Sequence, residues 1–147
     1  MPTETTAEHE EDRTLTALLR ARGQRVTSQR LVILHELRRR GLHTTADDLL
    51  ETVRGTLPGT SLPTIYATLD LLVELGLVRR IDVGIGASLY DARTDPHQHM
   101  VCRRCGRVYD LDGDCDLGAA MRAAKRSGFR PDGAELVIQG QCAECAP

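Results

Sequence analysis

Four of the five cysteines in this 147-residue chain form two C-x-x-C pairs near its C-terminal end, and these pairs constrain the fold more than any other feature. The first pair is Cys102 and Cys105, and the second is Cys142 and Cys145. Two intervening residues let both thiolates of a pair face one ion, so two pairs complete a closed tetrahedral Zn²⁺ site. The chain shows no hydrophobic signal segment, and disulfides are rare in reducing compartments. We therefore predict a structural zinc site that joins two distant segments.

The main alternative for these cysteines is thiol redox chemistry, in which one C-x-x-C pair cycles between dithiol and disulfide. Such pairs usually lie between a strand and a helix of a βαβ unit, and neither pair has that context here. The fifth cysteine, Cys115, lies between Asp114 and Asp116, outside any C-x-x-C spacing. We interpret it as a bystander thiol.

The first 80 residues show the apolar spacing of four helices. Hydroxyl side chains occupy the expected N-cap positions of the last three, and Thr45 with Asp48 resembles a capping box. The caps are Thr27, Thr45 and Ser61, and the expected ends are near Gly23, Gly41, Leu57–Gly59 and Gly76. The predicted inward residues are Leu15, Leu18 and Leu19; Leu31, Leu34 and Leu37; Ala46, Leu49, Leu50 and Val53; and Ile65, Leu69, Leu72 and Val73.

Two short segments, 77–81 and 87–91, flank Gly84 and Gly86 and predict a β-hairpin. Helices followed by such a hairpin are typical of a winged helix-turn-helix, in which one helix enters the major groove of DNA. We predict that the fourth helix reads the DNA, because Thr64 and Tyr66 lie near its start. The alternative is that Tyr66 packs at the rim of the core.

Charge is distributed unevenly along a chain whose net charge is only -2. Residues 1–12 contain five acidic and no basic residues, and we predict a mobile acidic tail there. Residues 13–40 contain eight arginines and one acid, which indicates either phosphate binding or a solvated helix face. With three Tyr, one Phe and no Trp, the chain lacks the aromatic platforms that bind single-stranded nucleic acid.

The second part of the chain mixes strands and a helix. We predict a linker over 92–96, strands near 97–101, 107–111 and 134–140, and a helix over 116–127. The residues expected to face inward on that helix are Leu117, Ala120, Met121 and Ala124. A unit of about 50 residues is only marginally stable by itself. Bound zinc and sheet pairing between subunits would supply the further stabilisation. The predicted fold class is α+β: a winged helix-turn-helix domain over 13–91 and a small α/β dimerisation domain with structural zinc over 97–147.

A second group of metal-ligating side chains surrounds the linker. His97 and His99 alternate on a predicted strand and therefore share one face. Asp110 lies on the next strand, Asp91 ends the wing, and His43 precedes the third helix. Such a set of nitrogen and oxygen ligands suits Fe(II) or Mn(II), although Zn(II) can bind it more tightly. Histidine pairs in strands are often incidental, so this group is a hypothesis.

Several segments in order resemble the ferric uptake regulator (Fur) family. The similarity runs from about Leu15 to the end of the chain. Its motifs are Arg25–Arg30, His43–Asp48, Ser61–Leu69, His97–Cys105 and Cys142–Cys145. Within the family, aspartate at both carboxylate positions is similar to the peroxide-sensing, PerR-like branch. One departure is Ala67, where the family commonly has Arg or Asn, and it indicates a different set of base contacts.

The resemblance implies a cytoplasmic homodimeric repressor, not an enzyme, that binds palindromic double-stranded DNA. It places structural Zn²⁺ on the four paired cysteines and regulatory Fe²⁺ or Mn²⁺ on His43, Asp91, His97, His99 and Asp110. The expected DNA-binding residues are Arg25, Gln29, Arg30, Ser61, Thr64 and Tyr66. Peroxide sensing is expected to proceed through Fe(II)-catalysed oxidation of a ligand histidine, His43 or His97.

Three other functions compete with this interpretation. The first is an iron- or manganese-responsive uptake repressor without peroxide chemistry, for which the same ligands serve. The second is a metal hydrolase centred on the His/Asp group, but five protein ligands would leave little room at the metal for both substrate and water. The third is a cytosolic thiol oxidoreductase, which predicts that tetrahedral zinc is absent.

Overall fold

Four helices and a two-stranded hairpin form the first part of the chain in the computed structural model, which describes residues 3–40 and 43–147. The helices are α1 (Thr3–Ala21), α2 (Ser28–Arg40), α3 (Ala46–Val53) and α4 (Leu62–Glu74). Strands β1 (Arg79–Ile81) and β2 (Leu89–Asp91) pair antiparallel, with Arg80 opposite Tyr90. This order confirms the predicted helices and wing, although the strands are shorter than predicted. Gly41, the expected end of the second helix, lies outside the described residues.

Two of the three predicted N-caps, Thr27 and Thr45, form local hydrogen bonds. The Arg30 amide donates to Thr27 Oγ1 over 3.3 Å at the start of α2. At α3 the Asp48 amide donates to Thr45 Oγ1 over 3.1 Å, and the Thr45 hydroxyl donates back to the Asp48 carboxylate over 2.9 Å. Ser61 has the extended backbone of an N-cap at α4, but its side chain does not bond the helix backbone. The Thr27 and Thr45 side chains each satisfy an amide that the first turn leaves without a helical acceptor.

The helices pack around one apolar core to which α1 to α4 all contribute. Most of the fully buried helix side chains come from the predicted inward faces, among them Leu15, Leu37, Leu49 and Leu69, but Ile33 of α2 is also fully buried and was not predicted to face inward. Tyr90 of β2 belongs to the same core and is only 1% exposed. Leu18, Leu31 and Val73 are only partly buried. The helical periodicity therefore identified the core faces, with a few positions at their edges.

The predicted acidic tail differs in the structure, because α1 begins at Thr3 and residues 3–12 are helical. Acidic residues favour the first turns of a helix, where they oppose the positive end of its dipole. Glu11 also pairs with Arg38 of α2 over 2.7 Å, and Asp12 lies 2.6 Å from His35 Nε2. These two contacts extend the helix over a segment that sequence reasoning treated as a tail. Met1 and Pro2 lie outside the described residues.

The second part of the chain contains a three-stranded sheet and one helix. The elements are β3 (Gln98–Cys102), β4 (Val108–Leu111), α5 (Gly118–Arg126) and β5 (Val137–Gly140). The strand order is β4-β3-β5, in which β3 pairs antiparallel with β4 and parallel with β5. The predicted strands and helix are therefore confirmed, with bounds that differ from the prediction by at most three residues.

The predicted inward face of α5 is not buried. Ala120 is exposed, while Leu117, Met121 and Ala124 are only partly buried. The periodicity correctly predicted an amphipathic helix. In the described residues of the single chain, however, no hydrophobic core covers its apolar face. The prediction that these four residues face a core is therefore wrong for the single chain.

The chain divides into two compact units. The N-terminal unit runs to Ile81 and includes Ala87–Thr94; the C-terminal unit comprises Asp82–Gly86 and Asp95–Pro147. The boundary after Thr94 falls inside the segment proposed as a linker, and the tip of the wing groups with the C-terminal unit. In the described part of the chain, every helix is too short or too polar to cross a membrane.

Candidate metal centres and nucleic-acid interface

Four thiols meet at one point of the C-terminal unit. The Sγ atoms of Cys102, Cys105, Cys142 and Cys145 all lie within 4.8 Å of one another, and Cys105 and Cys142 are 3.8 Å apart. A tetrahedron with Zn–S bonds of about 2.3 Å has sulfur–sulfur edges of about 3.8 Å. The described cysteines are all reduced. The cluster therefore fits one Zn²⁺ ion with no further position for a substrate, as the two C-x-x-C pairs predict.

Hydrogen bonds make these thiols unequal. The backbone amide of Cys105 donates to Cys102 Sγ over 3.5 Å and, with the amides of Cys142 and Arg104, lowers the pKa of Cys102 to about 6. The Tyr109 hydroxyl lowers the pKa of Cys142, whereas the contact with Cys142 raises the pKa of Cys145 to about 12. Zn²⁺ binds thiolates, so a site with one thiolate already favoured releases fewer protons when metal binds.

The second metal-ligating group of the C-terminal unit consists of His97, His99 and Asp110. The register of the sheet places His99 directly opposite Asp110, and His97 lies two residues earlier on the same face of β3. Asp110 Oδ1 is 3.3 Å from His97 Nε2 and 3.7 Å from His99 Nε2. The two rings meet edge to face, with centroids 4.7 Å apart.

A backbone contact orients the His97 ring. His97 Nδ1 lies 2.8 Å from the carbonyl oxygen of Asp95, which can only accept a hydrogen bond. Nδ1 therefore carries the proton, and in the neutral ring the lone pair of Nε2 faces Asp110. Metal-bound histidines commonly hold their second nitrogen in this way. Two imidazole nitrogens and one carboxylate oxygen thus converge as nitrogen and oxygen ligands for a divalent cation.

A smaller pair of the same chemistry lies in the N-terminal unit. Thr44 and Tyr90 form an isolated antiparallel bridge through two backbone hydrogen bonds, which brings His43 next to Asp91. His43 Nε2 lies 3.4 Å from Asp91 Oδ2, and both side chains are buried. Asp91 Oδ1 accepts the Arg93 amide over 2.8 Å, which fixes the carboxylate. Each unit therefore holds part of the five-residue group.

The start of α4 presents hydroxyl side chains to solvent. Tyr66 is 40% exposed, which disagrees with the alternative that it packs at the rim of the core. Ser61 is exposed, and its hydroxyl lies 3.0 Å from that of Thr64, so the two share one hydrogen bond. These positions leave the hydroxyl groups near the helix N-terminus, where phosphates and base edges bind in helix-turn-helix proteins.

The remaining expected DNA contacts lie around the start of α2. Arg25 is exposed, and its carbonyl oxygen accepts a bond from the Arg30 guanidinium. Gln29 Nε2 donates to Thr60 Oγ1 over 3.2 Å, which ties α2 to the loop before α4. Arg30 therefore supports the local backbone and Gln29 links two segments, whereas Arg25 is exposed, as a phosphate ligand would be.

Comparison with known proteins decides the family. Residues 21–139 match the model of the ferric uptake regulator family. The chain belongs to this family. It is 34% identical over 128 residues to the peroxide operon regulator of Bacillus subtilis, covering 87% of this chain and 88% of that protein. It is 38% identical over 125 residues to ferric uptake regulation protein 1 of Mycolicibacterium fortuitum, covering 83% and 76%.

The fold agrees with solved structures of this family. The Helicobacter pylori ferric uptake regulator superposes with a TM-score of 0.78 at 18% identity, covering 95% of this chain and 92% of that one. Fur-family proteins are metal-responsive, dimeric, DNA-binding transcription regulators and not enzymes. The expected fold class and the non-enzymatic function are therefore confirmed, and the hydrolase and oxidoreductase alternatives are excluded.

Sequence reasoning missed the side chains that surround the cysteine cluster. Arg107 pairs with Glu144, and Arg104 donates to the carbonyl oxygen of Cys145 over 3.3 Å. Tyr109 lines the same cavity as Cys102 and Cys142. Strand alternation was a usable signal for Tyr109, because its neighbour Asp110 faces the histidine group and Tyr109 must face away. The arginine contacts span 37 and 41 residues, and no local pattern indicates them.

Proposed function

We propose that this Fur-family protein is a metal-dependent transcriptional repressor that senses peroxide. In this proposal His43, Asp91, His97, His99 and Asp110 bind one regulatory Fe(II) or Mn(II) ion. The observation that carries the proposal is the division of matching ligands between the two units. Each unit holds a histidine–aspartate group that is incomplete for a metal ion by itself.

Ligand number supports a joint site. The pair in the N-terminal unit offers two ligands and the group in the C-terminal unit three, whereas Mn(II) and Fe(II) favour five or six. Asp91 and His97 are six residues apart, so the chain limits their separation to about 20 Å. An ion bound by both groups stabilises only those arrangements of the units in which all ligands reach it.

Metal binding then sets DNA affinity by linkage. In a dimer, one arrangement of the units gives one spacing of the two α4 helices, and a palindromic operator accepts a narrow range of spacings. If the metal and the operator favour the same arrangement, binding of either one increases the protein's affinity for the other, and by the same factor. Arg25, Gln29, Arg30, Ser61, Thr64 and Tyr66 are the proposed DNA contacts, and the cytoplasm is the proposed site of action.

The ligand chemistry supports iron or manganese as the regulatory metal. All five side chains offer nitrogen or oxygen, and the soft thiolates are engaged in the separate cysteine cluster. Zn(II) can still occupy such a site, because in the Irving–Williams order a given site binds Zn(II) more tightly than Mn(II) or Fe(II). The loaded metal therefore depends on availability.

Peroxide sensing is the finer part of the proposal. It is supported by the aspartates at both carboxylate positions and by the similarity to the peroxide operon regulator of Bacillus subtilis. Fe(II) held by these residues would catalyse cleavage of the oxygen–oxygen bond of peroxide, with the two electrons supplied overall by the ligand ring. The ligand imidazole of His43 or His97 takes up one oxygen atom at a ring carbon, and the other leaves as water. An oxidised ring binds metal poorly, so the two units are no longer held together.

The test compares metals in the presence and absence of peroxide. The probe is a duplex selected from randomised DNA with the Mn(II)-loaded protein, and affinity is measured by fluorescence anisotropy. We expect peroxide to abolish DNA binding by the Fe(II) form and to leave the Mn(II) form unchanged. Mass spectrometry of the iron form should then show one added oxygen on a peptide containing His43 or His97.

The second candidate is an iron- or manganese-responsive uptake repressor without peroxide chemistry. It is favoured by the 38% identity to a ferric uptake regulation protein of Mycolicibacterium fortuitum. Unmodified histidines and unchanged DNA binding by the peroxide-treated Fe(II) form would establish this candidate instead. Metal-independent DNA binding would reject both.

A further inference from the structure

Two contacts of the N-terminal unit fix the last turn of α2, just before His43. In the first, Glu11 of α1 pairs with Arg38 over 2.7 Å. In the second, the Arg40 guanidinium donates to Thr44 Oγ1 over 3.0 Å. We call Glu11, Arg38 and Arg40 the α2 clamp. It ties the acidic start of α1 to the end of α2, and the end of α2 to the residue that follows His43.

The Glu11–Arg38 pair differs from an ordinary surface ion pair. The Arg38 side chain is only 25% exposed, and its Nη1 atom is buried. A buried charge is costly unless an opposite charge lies next to it, and the Glu11 carboxylate supplies that charge. Glu10, one residue earlier, instead lies 3.8 Å from Arg13 of the same helix, and both of these side chains are exposed. Adjacent glutamates of α1 therefore have different partners, one across the helix interface and one within the helix.

The Arg40–Thr44 hydrogen bond leads directly to two metal-ligating side chains. Thr44 is buried, and its backbone pairs with that of Tyr90 through hydrogen bonds of 3.2 and 2.8 Å. His43 precedes Thr44, and Asp91 follows Tyr90, so this bridge brings the two ligands together. Whatever holds Thr44 in place therefore also holds His43 next to Asp91.

We propose that the α2 clamp positions His43 for the regulatory metal ion by holding the Thr44–Tyr90 bridge in its paired form. Glu11, Arg38 and Arg40 are positioning residues outside the ligand group. The metal-binding part of this inference rests on the proposed function, whereas the effect on the bridge is measured without metal. The inference gives the acidic segment of α1 a role in metal response.

The first test is Glu11→Gln in the full-length, zinc-loaded protein without regulatory metal. Hydrogen exchange of the Thr44 and Tyr90 amides, followed by NMR, measures how often their bridge opens. Loss of an exposed ion pair changes an equilibrium by up to about fivefold, and the buried Arg38 nitrogen adds to this loss. We therefore expect at least about fivefold faster exchange. Glu10→Gln is the matched control, since it removes the same charge from the same helix and should leave exchange unchanged.

Adjacent arginines provide the second comparison. Arg40→Met removes the donor to Thr44 and should also accelerate exchange at the bridge. Arg39→Met is its control, because Arg39 pairs with Glu36 of its own helix, and exchange should stay at the wild-type rate. Arg40→Lys keeps a cationic donor and should restore exchange to within twofold of wild type.

Mn(II) affinity, measured by competition with a fluorescent indicator, gives the readout at the metal site. Glu11→Gln and Arg40→Met should bind Mn(II) at least twofold more weakly, because the arrangement that binds metal is less populated in them. Glu10→Gln, Arg39→Met and Arg40→Lys should match the wild-type protein.

Three results would overturn the proposal. One is bridge exchange within twofold of wild type in both Glu11→Gln and Arg40→Met. Another is equal acceleration of the α4 amides, which indicates that these variants loosen the whole unit. The third is faster bridge exchange with unchanged Mn(II) affinity in both variants. Wild-type Mn(II) affinity in His43→Ala would instead reject the proposed function, and bridge exchange would still decide whether the clamp holds Thr44.

Discussion

Removing the structural zinc should unfold the C-terminal unit and spare the N-terminal one. The perturbation is Cys105→Ser, which takes one of the four thiolates from the cluster. Cys115→Ser is the matched control, because Cys115 is half-buried and does not belong to the cluster. The two variants differ only in which cysteine loses its sulfur.

The expected magnitude follows from what the C-terminal unit buries. Among its described residues, the buried apolar side chains outside the cysteine cluster are Val83 and Val101. At about 1.5–3 kcal/mol for a fully buried apolar side chain, these two contribute roughly 3–6 kcal/mol. Structural zinc contributes an apparent 10–16 kcal/mol in small zinc domains, about the whole stability of a typical domain. Zinc is therefore the larger contribution, and its loss exceeds what the apolar contacts of the unit can offset.

Hydrogen exchange followed by mass spectrometry measures both units in one experiment. In Cys105→Ser the amides of β3 and β5 should exchange at the rate of an unfolded chain, while α2 and α4 stay protected. Chelator treatment of the wild-type protein should reproduce this pattern, and Cys115→Ser should not. Protected β3 amides in a protein shown by metal analysis to lack zinc would refute the reasoning.

Three further predictions concern the N-terminal unit. Arg25→Ala should weaken operator binding and reduce the dependence of log affinity on log salt by about one, as expected for one lost phosphate contact; an unchanged slope in a salt titration would remove Arg25 from the interface. Thr45→Ala should lower the free energy of unfolding by about 1 kcal/mol through the lost α3 cap, measured by urea denaturation, and a loss below a few tenths would mean that the cap is energetically idle. Burial raises the pKa of Tyr90 above its ordinary 10, so its stabilising effect is complete below pH 10 and is lost as pH rises beyond it. Tyr90→Phe should therefore flatten the decline in urea midpoint above pH 10, and parallel declines in the two proteins would contradict this.

Local patterns in the sequence predicted the helices and strands well and pointed to the two groups of candidate metal ligands, because both inferences depend on short-range spacing. Alternation along a strand placed His97 and His99 on one face, and the register of β3 with β4 then set Asp110 opposite His99. The same short-range logic found the Thr27 and Thr45 caps and the buried leucines of the first four helices.

The failures came from contacts between distant residues. The acidic segment looked like a tail because its partners, His35 and Arg38, lie on another helix. The apolar stripe of α5 was correctly recognised as amphipathic, but periodicity does not say what covers it, and in the single chain it stays exposed or half-buried. The ion pair beside the cysteine cluster joins Arg107 and Glu144, which are 37 residues apart, and only the folded chain brings them together.

The central claim is that one ion bound by ligands from both units controls DNA binding, and paired alanine variants test it most directly. Operator affinity is measured with and without Mn(II) for His43→Ala, which alters the N-terminal unit, and for Asp110→Ala, which alters the C-terminal unit. His35→Ala is the control, because that imidazole pairs with Asp12 and belongs to neither ligand group. We predict that both ligand variants lose the Mn(II)-dependent gain in affinity and that the control keeps it. Full Mn(II)-dependent binding by either His43→Ala or Asp110→Ala would contradict the claim.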